Sequence, residues 1–506
     1  MAPIIEQRKT AANRKRRIIY NNDGCDIFVN DGIAKAENFL ALRTTALLNT
    51  HVDSIFYCPI HSGFSRVTYN TKVGELFINA TKEHPNNLAE DFIKQGTDTL
   101  KIMVDFARDH DLEVFASMRM NDTHDGWGGP HEDFLLPQLK RDHPEWLLGT
   151  HEQKPEFGMW SAVNYAIDEI RDLAFRLIEE QVTQYDVDGI DLDFLRHDTF
   201  FPSTARGDSC TDEEREMMTD LMRRVRKMAD QHGESRGKPV LVSIRVNNAI
   251  SLNYDLGMDV ERWLNEGLVD LVSSTHYYRM TPWSQMAELC AKSDVPFYPC
   301  LAESRVQEDV SDKPTSLRNS IESYRARAMN GYRAGGAGIQ IYNMFDPTNA
   351  VFREVGDPDA LQTKNKIYFT SVRGMGGAHW RVPNAHKYWE VSVLSPQPVL
   401  RTTITLNSNR TDVPIEISDD LSQASTLPRV TLRLQVLDCD NAKHVHAWFN
   451  DEELSGGQFE DNFLSFDLPP SHLRVGENVL SLSLYPAIES SPVLEDVQVH
   501  LTYDEN

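Results

Sequence analysis

The 506-residue sequence contains no run of 18 or more apolar residues, the length a helix needs to cross a bilayer, so no transmembrane helix and no membrane partner are expected. The N-terminal stretch MAPIIEQRKTAANRKRR lacks an apolar core and does not read as a signal peptide. The compartment is therefore cytoplasmic, or secreted or periplasmic if a signal has been removed. Basic charge is scarce: 51 Lys and Arg stand against 76 Asp and Glu, a formal net charge of −25. That balance disfavours nucleic acid, which selects a basic surface. Cysteine is sparse too. Cys25, Cys58, Cys210, Cys290, Cys300 and Cys439 show no CxxC spacing, so neither a zinc site nor a disulfide framework is indicated. Within the barrel segment no HxH or HExxH spacing supports a metal site, and no metal or other cofactor is expected. Internal repeats and long low-complexity tracts are likewise missing. With 40% hydrophobic and 25% charged residues, the chain has the composition of a folded globular protein.

What is present is alternation. Residues 1–16 are polar and basic and read as a flexible lead-in. Over 17–385, short apolar runs alternate with helical-period segments, the sign of βα units around a parallel sheet. Eight runs qualify as strands: 17–23, 52–60, 112–121, 187–195, 239–247, 269–278, 295–304 and 336–345. The segments AEDFIKQGTDTLKIMVDFARDH and AIDEIRDLAFRLIEEQVTQYD carry apolar residues at helical spacing, and DEEREMMTDLMRRVRKMADQHG does so up to Gly233, a candidate C-cap. Eight strands with interleaved helices predict an α/β fold, a (β/α)8 TIM barrel, with a doubly wound open sheet as the alternative. Over 386–506 the helical period gives way to short alternating strands such as RVTLRLQVLD, HVHAWFN and NVLSLSLY, the pattern of a C-terminal antiparallel β-sandwich.

Barrel enzymes carry their chemistry at the C-terminal strand ends. In GIDLDFLR, Ile190, Leu192 and Phe194 share one parity, and Asp191 and Asp193 the other. If the apolar set packs under the helices, both aspartates face the lumen, about 6 to 7 Å apart along the strand. Their repulsion separates their proton affinities, a route to one acid and one base at neutral pH. By the same alternation Ser117, Arg119 and Asn121 face inward on strand three, Ser243, Arg245 and Asn247 on strand five, Ser274, His276 and Tyr278 on strand six, and Gln340 and Tyr342 on strand eight, ahead of Asn343. Strand one ends at Asn22 and Asp23, strand three runs on to Asp122 and His124, and strand seven ends at Glu303.

Glycoside cleavage needs two carboxyl groups flanking the bond. The expected pair is Asp193, as general acid/base raised by Asp191, and Glu303 as nucleophile; Asp23 and Asp122 are next in line. The lumen and rim arginines Arg119, Arg196, Arg245 and Arg279 either balance these carboxylates or recognise an anionic substrate, uronic or sulfated. Trp127, Trp146, Trp160, Tyr277, Tyr278 and Trp283 are the aromatic candidates for stacking on sugar rings. Two other readings stay open: a metal-dependent hydrolase or lyase using Asp191, Asp193, His124, His197 and His276, and a non-catalytic glycan-binding protein.

HPEW, followed by NYAIDEIRDLAFRLIEEQVTQYDVDGIDLDFLR, resembles the glycoside-hydrolase-like proteins of the family-10-like group, as do GMDVERWLNEGLVDLV and YRAGGAGIQIYN further on. The resemblance spans residues 17 to about 350. It implies a (β/α)8 barrel and activity on polysaccharides. The usual motif continues with His and paired Asp after DGI, whereas here it reads DLDF. DGIDLD is also similar to the chitinase-type signature, but the glutamate that signature requires falls on Leu195. The C-terminal strands look like galactose-binding-like accessory modules, expected to brace the barrel, with Trp448 in phase with a core strand. The expected partner is a carbohydrate substrate, and a homo-oligomer is left open.

Overall fold

The computed structural model describes residues 2–29, 32–78, 86–128, 135–274, 280–302, 317, 319–370, 385–388, 390, 404–422, 424, 426–439, 441–460, 462–484 and 492–503. Eight parallel strands close into a barrel: β1 (Ile18–Asn22), β2 (Val52–Tyr57), β3 (Glu113–Arg119), β4 (Gly189–Asp193), β5 (Leu241–Val246), β6 (Leu271–Ser274), β7 (Phe297–Ala302) and β8 (Ile339–Tyr342). Each strand pairs with its sequence neighbours, and β8 returns to β1 with Ile18 opposite Ile339. The crossovers contain α2 (Ala36–Arg43), α3 (Thr99–Asp109), α4 (Asp168–Gln184), α5 (Asp212–Arg236), α6 (Val260–Asn265), α7 (Trp283–Ala291) and α8 (Ile321–Arg333). The barrel is thus the (β/α)8 fold expected from the alternation, not the open sheet.

The helix boundaries follow local chemistry. The single helix expected over 89–110 is broken: Gly96 takes φ +81°, and the Asp98 side chain then caps α3 by accepting from the Lys101 N–H. α5 opens on a capping box between Thr211 and Glu214 and runs past Gly233 to Arg236, where Gly237 adopts the left-handed C-cap conformation.

The N-terminal segment is not a flexible lead-in. Residues Ala2–Ala12 form helix α1, held by ion pairs from Arg8 to Asp230 and Asp270. Among its described residues Ile4 and Ala12 are the buried apolar ones, too few to make a stripe, which is why hydrophobic periodicity does not reveal it. Behind it, Arg16 reaches into the bottom of the barrel and binds Glu113 with two parallel bonds of 2.6 and 2.8 Å; Ser54 donates to the same carboxylate. Above this pair lies an apolar plug of Ala12, Ile19, Phe56, Phe115, Leu241, Leu271 and Tyr298, with Phe56 and Phe115 stacked at 4.4 Å. Gly189, opposite Phe115 and Leu241 in the register, leaves room for that ring: a Cβ there would lie 2.2 Å from Phe115.

The C-terminal region forms two antiparallel sheets over one core. It begins earlier than 386. Strand β9 (Lys366–Thr370) lies inside the range expected for the barrel, yet it pairs with the last strand, Val493–Thr502. Strands Thr411–Ile417 and Phe463–Leu468 are also part of these sheets. The region braces the barrel through α8: Asn330 donates to the Glu416 carbonyl at 3.2 Å and accepts from Ser418 at 2.6 Å. Trp448 is out of phase with the core. Val445, Ala447 and Phe449 are buried, while Trp448 lies on the opposite face, stacked with His446 and under the Arg410 guanidinium.

Candidate active site

The lumen changes character above the apolar plug. Register places Ser117, Asp191 and Ser243 side by side, and Arg119, Asp193 and Arg245 two residues further along the same strands. Both strand-four aspartates therefore face the lumen, with Ile190 and Leu192 packed outward in the main core. Asp191 is fully buried and accepts from Ser117 at 2.7 Å and Ser243 at 2.9 Å. Burial, reinforced by the neighbouring Asp193 charge, pushes its carboxyl up to about 7. Asp193 accepts from Arg245 at 2.5 Å and from the Leu195 N–H at 3.0 Å. The carboxyl held up by burial is Asp191, lower in the lumen, and Asp193 is clamped by a guanidinium. The Arg245 guanidinium also lies 3.9 Å from the centre of the Tyr342 ring.

A second cluster joins β1, β3 and the loops behind them. Arg119 binds Asp122 at 2.7 Å and the Asp23 carbonyl at 3.3 Å. Asp122 also receives His124 Nδ1 at 2.6 Å. Burial alone would raise the Asp122 carboxyl, but His124 and Arg119 hold it well below the usual range. His124 itself is lowered, burial outweighing the attraction of Asp122. Its other ring nitrogen faces Arg196, which donates to the Tyr342 hydroxyl at 3.1 Å. Asp23 is ion-paired to Arg43 on α2. Burial opposes its ionisation, but Arg43 and Arg119 lower its carboxyl overall. The loop bearing Asp122 and His124 is pinned from below by a buried ion pair, Lys140 to Asp125 at 2.6 Å, and Lys140 also binds the Asp122 carbonyl.

Several expected site residues have other work. Asn121 gives both amide hydrogens to the carbonyls of Val163 and Thr199 and accepts from the Val163 N–H. It staples two loops, with both amide hydrogens spent on backbone carbonyls. Asn247 is tied to Asn253 and Asp198. Asn343 is buried at φ +55°, shaping the turn after β8. The inward phase expected for strand six is one residue out. Leu271 sits in the lumen plug and Ser273 is in register with Arg245, so Ser273 faces in and Ser274 out. His276, Tyr277, Tyr278, Arg279 and Glu303 lie outside the described residues.

Trp127 is exposed beside this rim, whereas Trp160 and Trp283 are buried and Trp146 stacks on His143. Phe345, exposed after β8 with Arg43 over its ring, went unnoticed in the sequence, as did Arg43, which lies in a helix with no motif around it. Asp26 was missed too. Burial pushes it to about 7, and it accepts from Asn22 at 2.7 Å. Among the described residues no three or more His, Cys, Asp or Glu side chains are grouped as metal ligands.

The C-terminal mouth of the parallel barrel thus gathers carboxylates, arginines and exposed rings. Residues 79–220, which include β3, α4 and β4, match the family described as Glycosyl hydrolase-like 10. Similar solved structures include a noncanonic maltogenic alpha-amylase from Thermotoga neapolitana, at 14% identity over 94% of this chain and all of that one, with a TM-score of 0.39. The PgaB (BpsB) glycoside hydrolase domain from Bordetella bronchiseptica follows, at 11% identity over 68% of this chain and 96% of that one, TM-score 0.42. A glycoside hydrolase family 18 N-acetylglucosaminidase from Paenibacillus barengoltzii has 15% identity over 68% and 98%, TM-score 0.36. Such distant likenesses bear on neither the substrate nor the catalytic residues of this chain. No curated protein matches it.

Proposed function

We propose that this protein is a glycoside hydrolase that cleaves a polysaccharide or oligosaccharide at the C-terminal mouth of its barrel. The observation that carries this reading is the convergence of Asp23, Asp122 and Asp193, from three separate strand ends, on the arginines Arg43, Arg119 and Arg245 and on His124. Asp193 is proposed as the first catalytic carboxylate, held in one orientation by Arg245 and the Leu195 N–H. Glu303, which follows β7 in sequence and lies outside the described residues, is proposed as the second carboxyl group that such cleavage requires. Asp191 acts from beneath as a positioning residue. The exposed rings Trp127 and Phe345 supply apolar faces on which sugars stack.

An anionic substrate is the finer proposal. Arg43, Arg119 and Arg245 are each engaged by a carboxylate, so they balance internal charge first. Arg196, which donates to the Tyr342 hydroxyl and faces the His124 ring at the mouth, is the arginine we propose meets a uronic or sulfated group. The test is reducing-end release from a panel of neutral, uronic and sulfated polysaccharides by the wild type, Asp193→Asn and Arg196→Gln. Asp193→Asn should lose on the order of 10²-fold or more. Arg196→Gln should raise KM on the anionic members alone. Full activity of Asp193→Asn overturns the catalytic assignment, and an equal effect of Arg196→Gln on neutral glycans overturns the anionic one.

A further inference from the structure

Beneath the mouth, three inward-facing residues on three strands carry polar atoms that no described residue satisfies. They are Arg245 (Nε and Nη1) on β5, Ser273 (Oγ) on β6 and Gln340 (both amide atoms) on β8. All three side chains are fully buried. They are neighbours: Ser273 is in register with Arg245, and Gln340 with Cys300, whose thiol faces the Arg245 guanidinium. Tyr342, two residues beyond Gln340, covers that guanidinium from the mouth side. The apolar plug closes the lumen below.

Unpaired polar atoms on three neighbouring buried side chains are far from the norm, even with the Cys300 thiol beside Arg245. Native interiors pair nearly all such groups, with ordered water where protein offers no partner. A buried donor or acceptor left without a partner keeps its full desolvation penalty. A dry lumen is chemically unreasonable here, because the lining is polar rather than aliphatic, and a buried water typically makes about three hydrogen bonds to such groups.

We propose that the barrel encloses a cluster of ordered water molecules between its apolar plug and its mouth, bound by Arg245, Ser273 and Gln340, and that this water connects the buried Asp191 to the mouth for proton exchange. The proposal goes beyond the glycosidase reading and does not depend on it. Asp191 is faced by Asp193 on its own strand, by Arg245 from β5 and by Cys300 from β7, with the Ser117 and Ser243 hydroxyls on its two oxygens. Those hydroxyls donate to its oxygens, and each can pass its proton to Asp191 while taking another from the bound water, so the serines belong to the same path. The raised proton affinity of this carboxyl means that the proton comes and goes near neutral pH.

Two measurements on the intact protein test this without any substrate. A crystal structure at better than about 1.5 Å should show water within hydrogen-bonding distance of Arg245, Ser273 and Gln340. Infrared difference spectra across pH 5 to 8 should show a buried carboxyl band that disappears in Asp191→Asn. After transfer to D2O that band should shift faster than the backbone amides of β4 exchange. In Gln340→Leu, which removes an anchor of the cluster, the shift should slow. A dry lumen with the three side chains turned to satisfy one another overturns the proposal. So does a band that shifts only as slowly as the strand amides.

Discussion

Asp191→Asn is the substitution whose effect follows most directly from the structure. The unfolded chain releases this proton near the ordinary value of 3.8, whereas the folded barrel holds it to about 7. Between those values the folded state binds more protons than the unfolded, so its stability falls as pH rises. At 1.36 kcal/mol per pH unit the full span amounts to roughly 4 kcal/mol, present below pH 4 and lost above pH 7. Asparagine keeps the shape and carries no charge, so the variant escapes that loss. Either serine hydroxyl can turn to accept from the new amide, which keeps the two hydrogen bonds of the site. Urea denaturation of both proteins at several pH values from 4 to 8 reads the difference. Asp26 and Asp125, pushed up by burial to about 7 and about 6, titrate in both and cancel. The variant should gain on the order of 2 to 4 kcal/mol over the wild type between the ends of that range. A gap that stays constant with pH would refute the reasoning, because it would mean that Asp191 ionises in the folded barrel as readily as in water.

Three other substitutions probe the frame. Glu113→Gln leaves the fully buried Arg16 without its counter-charge and should cost about 3 to 5 kcal/mol in urea denaturation. Gly189→Ala drives a methyl group into Phe115 at the bottom of the lumen; a loss of about 1 to 3 kcal/mol is expected, and a neutral result would show that the plug yields easily. Asn121→Ala strands two carbonyls and one N–H at the junction of two loops, and should lower stability by on the order of 3 kcal/mol. If Asn121→Ala instead leaves stability intact while abolishing turnover, its assignment as a staple is wrong.

Comparing strands four and six shows what alternation can reveal. In GIDLDFL the inward positions are charged and the outward ones apolar, so parity alone puts Asp191 and Asp193 in the lumen. In VDLVSS both phases look alike, because Leu271 faces the apolar plug and Val272 faces the helices. Near the bottom of a barrel the lumen is itself a hydrophobic core, and hydrophobicity no longer tells inside from outside. Trp448 illustrates the converse case: a large apolar ring on the outer face of a sheet, covered by His446 and Arg410 rather than by the core. Helix α1 was unreadable for a third reason. Its docking rests on Arg8 meeting Asp230 and Asp270, more than 200 residues away in sequence.

The sequence by itself determined the βα alternation, the count of eight barrel strands, the switch to antiparallel sheets and the lumen-facing pair on strand four. All of these are local patterns with a period of two or of 3.6 residues. Which charge meets which was decided only in three dimensions: Asp193 on Arg245, Asp122 between Arg119 and His124, Arg43 on Asp23. The proton affinities of Asp191 and Asp122 were decided there too. They depend on distance and on exclusion from water, and neither quantity is written along the chain.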